Sequence, residues 1–523
     1  TIHGKETQGS EYEFRGSFQG ASVYLGEVRT DDAGRLLFLG GRGVSASPTG
    51  STIYNPNDPN GFINADGWYD DMSDGPVTAT VTIEGRSIPV ESAWVLTAPP
   101  NYGPNVYGVR TLYDLLVDLY VRAGWLDYPS EVSFREDVYP ILRRLSNLQW
   151  VNRGFAVQFG YGGPNDFENP DYVQRLARVP QAGEVDLYGE LRRQVFRSFR
   201  DPEGTDNNQL PWPWIYGDAM ALPPAETPRQ NAVVSPTQYR ALQAWAAGQF
   251  VASRGRPGDP PDAFSKVELQ DQPAMLDRAA LTFCLADAFH PGCEVTWPIR
   301  HLTLFHAPFR IRHRSPGAPE PDYGSQLTPE VALSAEGPLH AQGPGDLTRW
   351  MGLPWQADTG YCRSGYDTDY DPFVPTFWPA RVPNQVLTEP NYQVVINPHE
   401  PRGRRLAALT DRMVWTDPLQ GSTAGQMEQM VRIFGDMGLV EVREGVADDP
   451  DFPPTMMVAS FGPGVQPPPP PTARPAVAAA PRAAAPPVPP AEELRRRALR
   501  EAGWKSKEQQ EQAPLPVRHP RWE

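Results

Sequence analysis

Thr111-Leu112-Tyr113-Asp114-Leu115-Leu116-Val117-Asp118-Leu119-Tyr120-Val121-Arg122-Ala123-Gly124 is where the period of the chain changes. Leu112, Leu115, Leu116 and Leu119 fall on one helical face, Thr111 can cap the N-terminus and Gly124 can stop the helix. Upstream the period is two. Residues Tyr12 to Phe18 and Val77 to Ile83 alternate, with Asp74-Gly75 and Glu84-Gly85 as turn signals. Residues 1–104 therefore read as a β-rich N-terminal region, with a small sandwich or barrel-like module as the natural architecture. Downstream, helices are expected around Ile141, Leu142, Leu145 and Leu148, and from Ser235-Pro236 through Leu242 and Trp245. Two more are expected, from Pro273 to about Leu285 and with Met427, Met430, Val431 and Phe434 on one side. The fold class is mixed α+β: the β-rich region, a helical, loop-rich catalytic body over 105–462, and a Pro-rich tail over 463–523.

The tail is a different material. Residues 463–490 hold 12 prolines and otherwise mainly alanine, which predicts a semi-rigid polyproline-like spacer. A short basic helix is expected over Glu492 to Ala502. The tail carries 10 basic and 6 acidic residues, against a net charge of -16 for the whole chain. It can therefore lie on its own acidic body or on a partner, or extend freely into solvent.

Composition removes several function classes. No run approaches the roughly 18 apolar residues of a spanning helix, so membrane embedding is not expected. The net negative charge and the lack of a basic, aromatic-interleaved stripe argue against nucleic acid. Lysine is confined to Lys5, Lys266, Lys505 and Lys507, which leaves little for a lysine Schiff-base enzyme. Three cysteines, Cys284, Cys293 and Cys362, exclude a disulfide scaffold in 523 residues. With no visible signal peptide, they point to the cytoplasm. The phosphate-loop, dinucleotide, zinc-protease and nucleophile-elbow signatures are all missing. The Asn55–Asp74 loop and Asp367-Thr368-Asp369-Tyr370-Asp371 read as turn-rich segments rather than metal sites, because neither has calcium-loop spacing.

Two segments concentrate reactive residues. One runs from Cys284 through His290, Cys293, Trp297, Arg300, His301 and His306 to Arg312; the other from Trp350 through Trp355, Asp358 and Cys362 to Trp378 and Arg381. Arg300, Arg310 and Arg312 can either bind a substrate carboxylate or pair with the abundant acids. His301 and His306 read as structural residues on a strand.

These segments, together with Trp68-Tyr69-Asp70-Asp71-Met72-Ser73-Asp74-Gly75-Pro76-Val77, Phe289-His290-Pro291-Gly292, Pro354-Trp355-Gln356-Ala357-Asp358, Phe377-Trp378-Pro379-Ala380-Arg381 and Met430-Val431, resemble the cysteine tryptophylquinone (CTQ)-dependent amino-acid oxidases. That family includes lysine ε-oxidases and glycine oxidases, and the matching stretches run in its order over roughly residues 10–445. The resemblance implies a protein-derived cofactor in which a cysteine sulfur is joined to a tryptophan ring carrying two quinone oxygens. It implies Cys362 as the thioether cysteine, because the family's aspartate four residues earlier is matched by Asp358 and by no acid before Cys284 or Cys293. Trp415 is the expected quinone tryptophan, with Trp378 as the alternative. Asp358 is the expected general base, and His290 matches an active-site histidine. The implied reaction is oxidative deamination of a primary amine of an amino acid or peptide by O2, yielding an oxo product, ammonia and hydrogen peroxide. The implied partners are a small amine or amino-acid substrate, a flavoprotein that completes the cofactor and, in a homo-oligomer, further copies of the chain. A different class, a non-catalytic relative that keeps the scaffold for binding or assembly, draws support from Phe434 where the family often has tryptophan, and from the proline tail.

Overall fold

In the computed structural model, which describes residues 2–54, 64–204, 211–215, 231–255, 263–286, 295–362 and 381–472, the N-terminal region is built from short antiparallel pairings. Strands β1 (Glu13–Phe18), β2 (Ala21–Thr30) and β3 (Leu36–Gly40) form a three-stranded meander. Strand β4 (Ser45–Ala46) pairs with β5 (Tyr69–Asp70), β6 (Asp74–Val77) with β9 (Ala93–Leu96), and β7 (Val81–Ile83) with β8 (Arg86–Ile88). The region is β-rich as expected, but the described strands are not stacked as one sandwich. The alternating run at Val77–Ile83 breaks between β6 and β7, and every residue of β7 and β8 is exposed. Alternation specifies a sandwich strand only when one of its faces has something to bury against.

The first helix forms as its sequence predicts. In α1 (Leu112–Arg122) the Thr111 hydroxyl accepts the Asp114 N–H, and the Asp114 carboxylate accepts the Thr111 N–H, a reciprocal capping box. Gly124, just past the end, has φ +72°, a conformation that favours glycine. Leu112, Leu116 and Tyr120 are buried, with Leu115 and Leu119 on the rim of the same cluster.

Helices α2 (Tyr139–Asn147), α3 (Arg153–Phe159), α4 (Pro170–Ala177), α5 (Gly189–Arg197) and α6 (Pro236–Ala246) contribute to the main core. Ser235 and Gln238 make a second capping box at α6. The buried Asp118 of α1 accepts the Thr237 N–H at 3.0 Å, tying the start of α6 to α1. Helix α7 (Gln272–Thr282) ends before the expected Leu285 and buries none of its residues. Short helices α8 (Thr296–Ile299) and α9 (Pro329–Ala332) precede α10 (Trp355–Cys362), and α11 (Glu389–Ile396), α12 (Arg402–Thr410) and α13 (Thr423–Ile433) follow. Hairpin β10 (Phe305–Ala307)–β11 (Arg310–Ile311) packs on the α1 cluster. Strand β12 (Gln385–Val386) pairs with β13 (Met413–Val414).

A terminal hairpin, β14 (Leu439–Glu444) and β15 (Thr455–Ser460), closes the body. Val440 N–H donates to Tyr102 O at 2.7 Å and Ala459 N–H to Leu387 O at 2.7 Å, so it joins segments more than 280 residues apart. Packing continues past residue 462: Val465 is buried in the main core, and Arg404 Nε donates to Pro471 O at 3.2 Å. The start of the proline-rich segment thus lies on the body, and residues 473–523 are outside the described residues. No helix among the described residues is long and apolar enough to cross a membrane.

Candidate active site

The site is organised by α10, whose residues Pro354 to Gly360 are all buried. Such a helix shows no polar stripe, so its position has to be set by specific contacts at its ends and at its closest approach. The acid-rich N-terminal motif supplies them. Asp70 Oδ2 accepts the Trp355 N–H at 3.1 Å, satisfying a donor in the first turn of α10 and placing an acid at the positive end of its dipole. The Ser45 hydroxyl contacts Asp70 Oδ1 and donates to Gln356 Oε1 at 2.7 Å, while Gln356 Nε2 donates to Gly43 O at 2.7 Å. A hydroxyl has one proton to give. Asp70 Oδ1 and Gln356 Oε1 therefore share the Ser45 hydroxyl as their donor. Burial pushes the Asp70 carboxyl up to about 7 despite the bonds from Ser45 and the Trp355 N–H, and neighbouring Asp71 adds to the rise.

The other two acids of the motif hold neighbouring turns. Asp71, 2% exposed, accepts the Arg42, Gly43 and Val44 N–H groups at 2.5, 3.2 and 3.0 Å. Asp74 accepts the Thr348 N–H and hydroxyl at 2.8 and 2.7 Å, and the Leu347 N–H and Trp94 Nε1–H at 3.3 and 3.0 Å. Burial raises the Asp74 carboxyl as well. The structural role of this motif is not encoded in any local period of the sequence. Its signal was the density of acids in a segment of short strands, where carboxylates serve as acceptors for loop N–H groups.

Helix α13 covers one face of α10. A Cβ at Gly360 would stand 3.0 Å from the Gln426 and Met427 backbones, so the two helices approach where only glycine fits without a shift. Ile53, Ala357 and Met427 form a small cluster beside that contact. At the other end of α10, the Trp355 and Phe434 rings meet edge-on with centroids 5.2 Å apart. Since 360 meets 426–427 and 355 meets 434, the two helices run antiparallel.

Asp358 lies in the first turn of α10 and is 1% exposed. The helix ends at Cys362, one turn further on; the Cys362 side chain is outside what the structure describes. His290 and Trp378 also fall outside the described residues. Trp415 is fully buried. Its indole N–H donates to Gly438 O at 2.7 Å, and its ring stands 4.6 Å from that of Tyr102. The Tyr102 hydroxyl in turn donates to Phe434 O at 3.2 Å. Trp415 is thus connected to the Trp355 end of α10 through Tyr102 and Phe434.

The candidate arginines of the first reactive segment are already engaged. Arg300 donates to Thr296 O and Ala286 O and lies 5.2 Å from the Trp297 ring. Arg310 pairs with Asp277 at 3.0 Å, and Arg312 donates to Phe305 O at 2.9 Å. Burial, reinforced by Arg300, pushes His301 down to about 4, so it is neutral at pH 7. His306 is exposed on β10. A cleft of about 750 Å³ between Tyr128, Arg240, Gln243 and Phe250 is lined by none of these residues.

Sequence comparison matches residues 1–97 to the L-lysine epsilon oxidase N-terminal region and residues 216–378 to the L-lysine epsilon oxidase C-terminal domain. The L-lysine 6-oxidase of Marinomonas mediterranea is 28% identical over 369 residues, 65% of this chain and 46% of that protein. The chain thus spans about half the length of that curated relative. The crystal structure of the L-Lys epsilon-oxidase from the same organism superposes with a TM-score of 0.54 at 19% identity, covering 87% of this chain and 70% of that one. Its Schiff base intermediate with L-Lys gives 0.53 at 20% identity, with 88% and 70% covered. These superpositions establish the shared fold. The two sequence matches and the shared fold together make the chain similar to the L-lysine epsilon oxidases.

Proposed function

We propose that this chain is a quinoprotein oxidase that deaminates a primary amine of an amino acid or peptide. The balanced reaction is R–CH2–NH2 + O2 + H2O → R–CHO + NH3 + H2O2, written for an amine on a CH2 carbon. The observation that carries the reading is the sealed Asp358 in the first turn of a helix pinned at its N-terminus by Asp70 and ending, four residues later, at Cys362.

The cofactor this reading implies is a cysteine tryptophylquinone. Cys362 would supply the sulfur and Trp415 the ring, with Trp378 as the alternative. Trp415 is held by its indole nitrogen, which leaves the benzenoid half, where a tryptophylquinone carries its oxygens, free of that bond. Such a group supplies an electrophilic carbonyl for an amine, a function no unmodified side chain provides.

Asp358 then acts as the base that takes the proton from the carbon bearing the amine. Its water-excluded position and its fixed place on a capped helix serve that role. Asp70, Gln356 and Ser45 hold α10 in register, and Gly360 sets its distance from α13. His290 would steady negative charge at the same site. Completing the quinone requires oxidation of the tryptophan, assigned here to a flavoprotein partner, and the mature protein is read as a homo-oligomer.

The test is hydrogen peroxide release from a panel of amino acids and amines, using the full chain co-produced with its flavoprotein. Peroxide forming with an equivalent of ammonia is the expected result, and Cys362→Ala abolishes it. Full turnover by that variant contradicts the site assignment.

A further inference from the structure

Among the described residues, Arg381 is a buried arginine in which two nitrogens on one edge lack an acceptor. Its side chain belongs to a residue only 4% exposed, and among the described residues neither Nε nor Nη2 has a hydrogen-bond partner. Those two nitrogens share one edge of the guanidinium, the edge that takes a carboxylate side-on through two parallel N–H···O bonds. Native structures bury charged groups with their partners. A lone orphaned donor is a packing imperfection, but two on one edge of a guanidinium have the shape of a receptor.

Two described neighbours, Tyr102 and Cys284, do not supply an anion. The Arg381 charge reaches Tyr102 and Cys284, and burial pushes both groups up, so the phenol and the thiol stay neutral near pH 7. The Tyr102 hydroxyl is turned to Phe434 O instead.

The placement links this edge to the candidate site. Arg381 O accepts the Tyr102 N–H at 3.3 Å, and the Tyr102 ring is the one that lies 4.6 Å from Trp415. Three residues along the chain, Asn384 O accepts the Trp415 N–H at 2.9 Å. Arg381 and Trp415 are therefore held on one framework, with Tyr102 touching both. By contrast Arg300, Arg310 and Arg312 already spend donors on protein acceptors or carboxylates.

We propose that Arg381 is the receptor for the carboxylate of an amino-acid substrate, bound side-on through Nε–H and Nη2–H while the amine reaches toward the Trp415 side of Tyr102. This deepens the oxidase reading and rests on it for the amine's fate, but carboxylate binding itself is independent of turnover. The expected ligand class is a carboxylic acid with an apolar chain, with or without a terminal amine.

The experiment uses the full-length protein and hexanoate, which cannot be deaminated, with hexylamine as the uncharged-end control. Calorimetric titration is expected to show hexanoate binding to the wild type and at least a tenfold loss in Arg381→Gln, with Arg381→Lys in between because a point charge lacks the side-on edge. Hexylamine binding is expected to stay unchanged in both. Because the guanidinium edge has no partner among the described residues, Arg381→Gln is expected to melt at or above the wild-type temperature, as substitutions of residues kept for function rather than stability do. A substantial fall in melting temperature would mark the arginine as structural and overturn the proposal. So would hexanoate binding equally to wild type and Arg381→Gln, or to neither. In turnover, the preference for lysine over 1,5-diaminopentane in kcat/KM is expected to fall at least tenfold in Arg381→Gln, chiefly through KM; an unchanged preference also overturns it. If no amine yields peroxide while hexanoate still discriminates wild type from Arg381→Gln, the oxidase reading fails and the carboxylate receptor stands.

Discussion

Replacing Asp70 with asparagine separates a titrating cap from a merely polar one. In the folded chain the Asp70 carboxyl sits at about 7, chiefly because it is buried, against 3.8 for an unperturbed aspartate. The sign follows from where the proton resides. Between these two values the folded state keeps a proton that the unfolded chain has released, so this group's contribution to stability is complete below 3.8, declines as pH rises toward 7, and is flat above it. Between pH 5 and pH 8 the decline amounts to about 2–3 kcal/mol, taking 1.36 kcal/mol for each unit of pKa difference that is crossed. Asparagine keeps an acceptor for the Trp355 N–H and a donor for Ser45, but it does not titrate. Urea unfolding of both proteins across that range is the assay. The stability of wild type minus Asp70→Asn is expected to fall by that amount as pH rises. Parallel profiles would refute a protonated Asp70 at the head of α10, and a difference growing with pH would reverse the sign of the argument.

Other perturbations probe the same frame. Gly360→Ala places a methyl 3.0 Å from the Gln426–Met427 backbone; it is expected to cost about 1–3 kcal/mol by forcing α10 and α13 apart, read by thermal melting, and to lower kcat by shifting Asp358. Trp415→Phe removes the donor to Gly438 O and is expected to cost about 1–3 kcal/mol by leaving a buried acceptor unpaired. On the assignment of Trp415 to the quinone it also eliminates peroxide production; retained turnover transfers that role to another tryptophan. Thr111→Ala removes one half of the α1 capping box, with an expected loss of about 1 kcal/mol in unfolding free energy and no change in KM for any amine.

What could be seen in the sequence follows the range of the interactions. Helix α1 was legible because its capping residue, its apolar spacing and its terminating glycine all lie within 14 residues of one another. The start of α6 was legible for the same reason. Helix α10 was recognisable only by resemblance: its neighbours surround it on every side, and the residue that caps it, Asp70, is 285 positions away. No local period encodes such a contact. The N-terminal sandwich was an over-reading of alternation, because Val81, Ile83 and Ile88 are exposed and give the strands no shared inner face. At the site, the spacing of Asp358 and Cys362 was visible, whereas the unpaired edge of Arg381 was not. An arginine with unpaired nitrogens among the described residues becomes notable only when its surroundings are known, and the Tyr102 and Cys284 segments are part of them.

The central claim is that this chain carries a cofactor made from its own residues, and the intact mass of the purified protein tests it most directly. Two added oxygens and four lost hydrogens raise the mass by about 28 Da. The account predicts that increase in protein co-produced with its flavoprotein, located by peptide mapping on linked peptides that contain Cys362 and Trp415. An unmodified mass from the same preparation would contradict it and leave the family's fold serving a binding role.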